Sequence, residues 1–159
     1  MVSARTRPLA CAVAVLVADT SAVLALMDRG DKDHQAIRAL YEERADEWAV
    51  PWAILPEVDY LAGKKLGADA SQAWIDNLAA GALLVEWGKE ADLLRAQKLA
   101  STYASLKIGL VDAVVMAIAE RRRADIATLD LRHFGAVRLT HIPRLLPRDA
   151  AVTPSRRRG

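Results

Sequence analysis

Carboxylates stand at the edges of four apolar segments of this chain. Asp19 follows the run from Val13 to Ala18, and Asp130 follows Ile126 to Leu129. Asp112 opens a segment that is apolar through Ala119. Glu57 and Asp59 lie in Leu55-Pro56-Glu57-Val58-Asp59-Tyr60-Leu61. Carboxylates brought together cannot all stay ionised without a cation. A donor set made only of oxygen favours Mg2+, with Mn2+ as the alternative. The rest of the chemical inventory is thin. There is no lysine-bearing Gly-rich loop, no Cys-x-x-Cys and no His-Glu-x-x-His, and the Gly-x-Ser-x-Gly of a serine nucleophile elbow is missing. His34, His133 and His141 are scattered and read as surface or packing residues rather than ligands.

Each acid carries a plainer reading as well. Asp125 and Asp130 flank the same expected strand, about 16 Å apart along extended chain, so they cannot share a small site. Ligands of parallel sheets bind beyond the carboxyl ends of the strands, which selects Asp130. Asp112 opens a helix that is apolar on every face and therefore buried. It is either a costly buried carboxylate that needs a cation or an ordinary charge meeting the helix dipole. Glu57 and Asp59 lie about 200° apart on a helix. They flank its core face equally, so periodicity does not choose between them.

These acids need a scaffold, and the chain alternates strand-like and helix-like segments. Strands are expected at Val13–Ala18, Trp48–Val50, Leu83–Val85 and Ile126–Leu129, with a last one at Leu139–Ile142. Helices are expected at Thr20–Met27, Asp33–Arg44, Pro56–Lys65, Lys89–Ser105 and Asp112–Arg121. A further helix, opened by a capping box between Asp69 and Gln72, runs to Ala80. This alternation implies a single α/β domain with a mainly parallel sheet flanked by helices, a three-layer α/β/α arrangement.

The chain has 159 residues, 53% of them hydrophobic, which suits one domain with a sizeable core. The boundaries expected are a loose leader over residues 1–12, a domain over 13–142 and a basic, partly disordered tail over 143–159. Arg5 and Arg7 before the apolar run resemble a short signal peptide, but the run is rich in valine and passes straight into Asp19-Thr20-Ser21. No run is long enough to span a bilayer. Cys11 is the single cysteine and reads as a small core residue, so no internal disulfide forms, as suits the cytoplasm. The net charge is only +2, but Arg121-Arg122-Arg123 and the arginines of the tail are concentrated, which fits a polyanionic partner.

Four motifs in order resemble the PIN-domain family and, within it, the VapC-type toxin ribonucleases of type II toxin–antitoxin systems. They are Val17-Ala18-Asp19-Thr20-Ser21-Ala22, Pro56-Glu57-Val58-Asp59-Tyr60-Leu61, Gly109-Leu110-Val111-Asp112-Ala113-Val114-Val115-Met116-Ala117 and Ala127-Thr128-Leu129-Asp130-Leu131-Arg132-His133-Phe134. The resemblance implies that Asp19, Glu57, Asp112 and Asp130 are the catalytic, metal-binding acids, and it selects Glu57 over Asp59. Pro56 departs from the serine common at that place. Thr20 and Ser21 stand where the family holds a supporting hydroxyl, although helix N-capping is the reading preferred for each.

The resemblance further implies a Mg2+-dependent endoribonuclease that cleaves structured RNA, a tRNA or ribosomal RNA, with cation-activated water. It implies a VapB-like antitoxin as partner and a homodimer. Leu24, Leu26, Ile37 and Leu40 are candidates for the antitoxin groove, with ordinary core as the preferred reading. Arg121, Arg122, Arg123 and Arg132 are candidate phosphate contacts. Trp48, Trp52, Trp74 and Trp87 could stack bases, but tryptophans of small domains are more often core. Two rivals are a PIN nuclease of RNA processing without toxicity and a catalytically inactive binding module. A receiver-like phospho-acceptor domain is disfavoured, because its acidic pair and its lysine are missing.

Overall fold

The computed structural model describes residues 15–152. The leader, with Cys11 and the first residues of the expected first strand, lies outside them, as do residues 153–159 of the tail. Leu16–Ala18 (β1) has no exposed surface and forms the middle of a five-stranded parallel sheet. On one side it pairs with Trp48–Pro51 (β2), which pairs in turn with Leu84–Glu86 (β3). On the other side it pairs with Asp125–Ala127 (β4), and β4 pairs with Leu145–Leu146 (β5). The order is β3-β2-β1-β4-β5.

The chain therefore moves outward through β2 and β3, then returns to the other side of β1. The reversal lies between β1 and β4, whose carboxyl ends frame a crevice of the kind that binds ligands in open parallel sheets.

Helices Thr20–Met27 (α1) and His34–Glu43 (α2) link β1 to β2. Leu55–Leu66 (α3) and Ala68–Ala79 (α4) link β2 to β3. Glu90–Thr102 (α5) and Leu110–Arg122 (α6) carry the chain back to β4, and the short Leu131–Phe134 (α7) follows β4. α1 packs on α2 and α3, whereas α6 packs on α5 and against β1 and β2, which completes three layers. Ala113 through Ala119 are all buried in α6. A helix apolar on all sides has no wet face to spare, and the buried stretch of α6 begins directly after Asp112, which is half-buried while Leu110 stays exposed.

Two local expectations fail. The segment Leu139–Ile142 is not a strand, and the fifth strand lies later, at Leu145–Leu146, inside the stretch expected as tail. Val137 and Leu139 are buried, so the apolar alternation is that of a packed loop. The capping box between Asp69 and Gln72 does not form. α4 starts at Ala68 after Gly67, with no side-chain cap, and Gln72 bonds Asp76 instead. Gly67, the single residue between α3 and α4, has a φ of +102° and, as the N-cap of α4, has no side chain to cap with.

Candidate active site

Asp19 is the residue after β1 and the N-cap of α1. Its backbone N–H continues the ladder by donating to the Ala127 carbonyl of β4 at 2.9 Å. That bond fixes the carboxylate at the crevice between the strands. One oxygen, Oδ2, accepts from the Ser21 hydroxyl at 2.8 Å and from the Thr128 hydroxyl at 3.0 Å. Only 3% of Asp19 is exposed. Burial pushes its carboxyl above the ordinary value, against the pull of those hydroxyl bonds.

The supporting hydroxyls do not cap the helix. Asp19 is the cap, which corrects the preferred reading of Thr20 and Ser21. Thr20 donates its hydroxyl to Glu57 Oε2 of α3. The Ser21 hydroxyl donates to Asp19 and accepts from the Leu129 N–H at 2.9 Å. Thr128, unremarked in the sequence, accepts from the Asp130 N–H at 3.0 Å while donating to Asp19. β1 and the loop after β4 are thus tied by two hydroxyls acting in both directions.

Asp130 caps α7, and its Oδ1 accepts from the N–H groups of Arg132 and His133. His133 Nδ1 lies 2.8 Å from Asp112 Oδ2 and 3.2 Å from Asp130 Oδ2. The reading of His133 as a surface or packing residue is therefore wrong. One ring nitrogen of His133 and one oxygen from each of Asp112 and Asp130 lie within 4.8 Å of one another. The available signal was its place three residues after a candidate ligand, in the first turn of a helix capped by that ligand. His34 does pack, with Nδ1 2.8 Å from the Ala25 carbonyl.

Burial raises the Asp112 carboxyl to about 6, and the charges of Asp19 and Asp130 add to the rise against a weaker pull from His133. Asp19, Asp112 and Asp130 thus form one electrostatic cluster, while Glu57 accepts from Thr20, the residue after Asp19. Among the described residues, no arginine or lysine forms an ion pair with any of the four. Two carboxyls raised by burial, Asp112 by neighbouring charge as well, and backed by neutral hydroxyls belong to a donor set that fits a divalent cation.

Other candidates stand elsewhere. Asp59 accepts the Ser71 hydroxyl of α4, so the two acids of α3 face different partners. Arg121 lies nine residues beyond Asp112, about 14 Å along α6, where Asp92 and Glu86 hold it. Arg122 pairs with Glu86 at 3.2 Å, and Arg123 is exposed at the end of the helix. Arg132 is exposed beside Asp130 and is the one of these arginines at the rim of the cluster. Trp48 and Trp74 are buried core, Trp52 is half-buried, and Trp87 is 72% exposed. Ile37 and Leu40 are buried, whereas Leu24 and Leu26 are half-buried and pack against the core. Among the described residues, no helix is long and apolar enough to cross a membrane.

A sequence model of the PIN domain matches residues 16–138. Ribonuclease VapC26 of Mycobacterium tuberculosis is 36% identical over 124 residues, covering 77% of this chain and 92% of that protein. Among solved structures, VapC20 of M. tuberculosis, described as a sarcin–ricin loop cleaving toxin, superposes with a TM-score of 0.69 at 20% identity. That match covers 76% of this chain and 94% of VapC20. The DNA-bound VapBC complex of Salmonella typhimurium matches with a TM-score of 0.65 at 18% identity, over 82% of this chain and 96% of that one.

Proposed function

This chain belongs to the PIN-domain family, among its VapC-type members, and from that membership we propose that it is a divalent-cation-dependent endoribonuclease, the toxin of a VapBC-type toxin–antitoxin pair. The observation that carries the reading is a cluster of carboxylates at the switch point of the sheet, with Asp19 and Asp112 raised in pKa and no arginine or lysine ion-paired to the cluster among the described residues.

Asp19, Asp112 and Asp130 would hold Mg2+ or Mn2+, with Glu57 completing the acidic rim. When bound, such a cation lowers the pKa of water and offsets charge developing on phosphoryl oxygens. The chain's own residues prepare that site. Ser21 and Thr128 each donate a hydrogen bond to the same oxygen of Asp19, which leaves the other oxygen without a hydroxyl partner among the described residues. Thr20 fixes the Glu57 carboxylate toward α1. The Arg132 side chain, exposed beside Asp130, would bind a substrate phosphate next to the scissile one. Arg121 is occupied by acids of this chain, so Arg123 and Arg122 would serve only RNA that extends along α6.

The substrate proposed is structured RNA, a tRNA or a ribosomal RNA loop. It is supported by the ribonuclease name of the 36% identical relative and by the loop-cleaving description of VapC20. The partner proposed is a VapB-like antitoxin, supported by fold-level likeness to VapBC complexes. The assembly proposed is a homodimer.

The test is cleavage of total RNA by the purified protein, with Mg2+ and with excess chelator. Cleavage that requires Mg2+ and is lost in Asp112→Asn supports the reading. Equal cleavage in chelator overturns the role of the cation. Induced expression without the antitoxin separates a toxin, which arrests growth, from a PIN nuclease of RNA processing, which does not.

A further inference from the structure

The expectation of an all-oxygen site depended on leaving His133 out. Its Nδ1 stands between two carboxylates, 2.8 Å from one and 3.2 Å from the other. Donor atoms that share an octahedral ion at about 2.1 Å stand about 3 Å apart along each edge. Nδ1 is already at that spacing from each carboxylate oxygen, and the three residues offer donor atoms within 4.8 Å of one another. They come from two elements that pack on each other, Asp112 from α6 and Asp130 with His133 from the start of the short α7.

The ring is also aimed by its backbone. His133 N–H donates to the other oxygen of Asp130 at 3.2 Å, so one carboxylate anchors the residue at both ends. In the cation-free protein Nδ1 lies within hydrogen-bond distance of both acids.

We propose that His133 is a nitrogen ligand of the cation held by Asp112 and Asp130, and that this ligand makes the site prefer Mn2+ over Mg2+. The proposal rests on the cation-dependent reading above and refines it. Mg2+ is a hard ion that takes oxygen and keeps much of its water. Imidazole suits first-row transition ions, and a mixed nitrogen and oxygen donor set shifts a site toward them. Asp19, without a nitrogen beside it, remains an oxygen donor for either ion.

The test uses the purified full chain stripped of metal, with MnCl2 and MgCl2 as probes. Calorimetric titration gives both affinities for the wild type, His133→Asn and Asp112→Asn. Pulsed electron paramagnetic resonance of the Mn2+ complex reads nitrogen coupling, assigned by growing the protein on 15N-histidine. The expected result is a histidine nitrogen coupling in the wild type that is lost in His133→Asn. Mn2+ affinity should fall at least about tenfold in that variant, with Mg2+ affinity changed much less. Mn2+ that binds the wild type and needs Asp112, yet shows no nitrogen coupling, overturns the proposal and leaves the nuclease reading standing. Failure of both ions to bind the wild type overturns both. The spectrum of the wild type decides the matter even if His133→Asn does not fold.

Discussion

The two ends of β4 carry aspartates in opposite electrical settings. At its amino end Asp125 meets two arginines, Arg44 at 3.1 Å and Arg144 at 2.6 Å. Burial alone would raise the Asp125 carboxyl, but the Arg144 bonds, with Arg44 beside them, outweigh burial and hold it below its ordinary value. Beyond the carboxyl end, Asp130 and its neighbours Asp19 and Asp112 meet hydroxyls, backbone N–H groups and one histidine, and the Asp112 carboxyl rises to about 6. The same residue type thus closes a structural ion pair at one rim and stores unbalanced negative charge at the other. Stored charge of that kind costs stability unless something else is bound, which is the physical ground for proposing this rim as the active one.

The contrast breaks most sharply under amide substitution. Asp112→Asn should lower RNA cleavage at least about 100-fold, with the fold retained by circular dichroism. Asp125→Ala should leave cleavage near wild type while costing about 1.5–3 kcal/mol in urea denaturation, the value of bonds to charged groups. If Asp125→Ala proved inactive yet stable, the division between the two rims would collapse.

Removing the hydroxyls that orient Asp19 is the next largest effect. Ser21→Ala and Thr128→Val should each weaken Mn2+ or Mg2+ binding about 10–100-fold in calorimetry. Unchanged affinity would reduce both to ties between β1 and the loop after β4.

The pH response should have opposite signs at the two rims. The folded-state value of Asp112 is raised from 3.8 to about 6, so folding favours its protonated form. Its contribution to the stability of the ion-free protein is present below pH 3.8 and is lost as pH rises to about 6. Asp125 is lowered from 3.8, so its contribution is present above that pH and is lost as acid titrates the folded carboxyl. Asp112→Asn should therefore stabilise the ion-free protein at pH 7 relative to pH 4, measured as the difference from wild type in thermal midpoint. A wild-type curve unchanged by the substitution would contradict the raised value.

The smallest effect separates the two acids of α3. Ser71→Ala removes the partner of Asp59 and should cost about 1 kcal/mol with cleavage unaltered. Lost cleavage would mean that Asp59, rather than Glu57, serves the site.

Much of this was legible from local pattern. The apolar run from Ala113 to Ala119 announced a buried helix, because a helix with no polar face has nowhere else to go. The continuous apolar run into Asp19 announced a strand covered on both faces, and β1 has no exposed surface. The position of β5 was not legible. Two residues pair there, too few for an alternation to register, and the packed loop before them carries the stronger signal.

By itself the sequence determined the alternation of elements and the placing of acids at strand ends and at the start of a buried helix. Both follow from the polarity of neighbouring residues, which local order records. Only the tertiary structure decided that β1 and β4 are neighbours, that Glu57 meets Thr20 while Asp59 meets Ser71, and that His133 stands between Asp112 and Asp130. Those partners come from segments far apart in the chain. Periodicity reports which face of an element is buried, but not which distant side chain will lie against it.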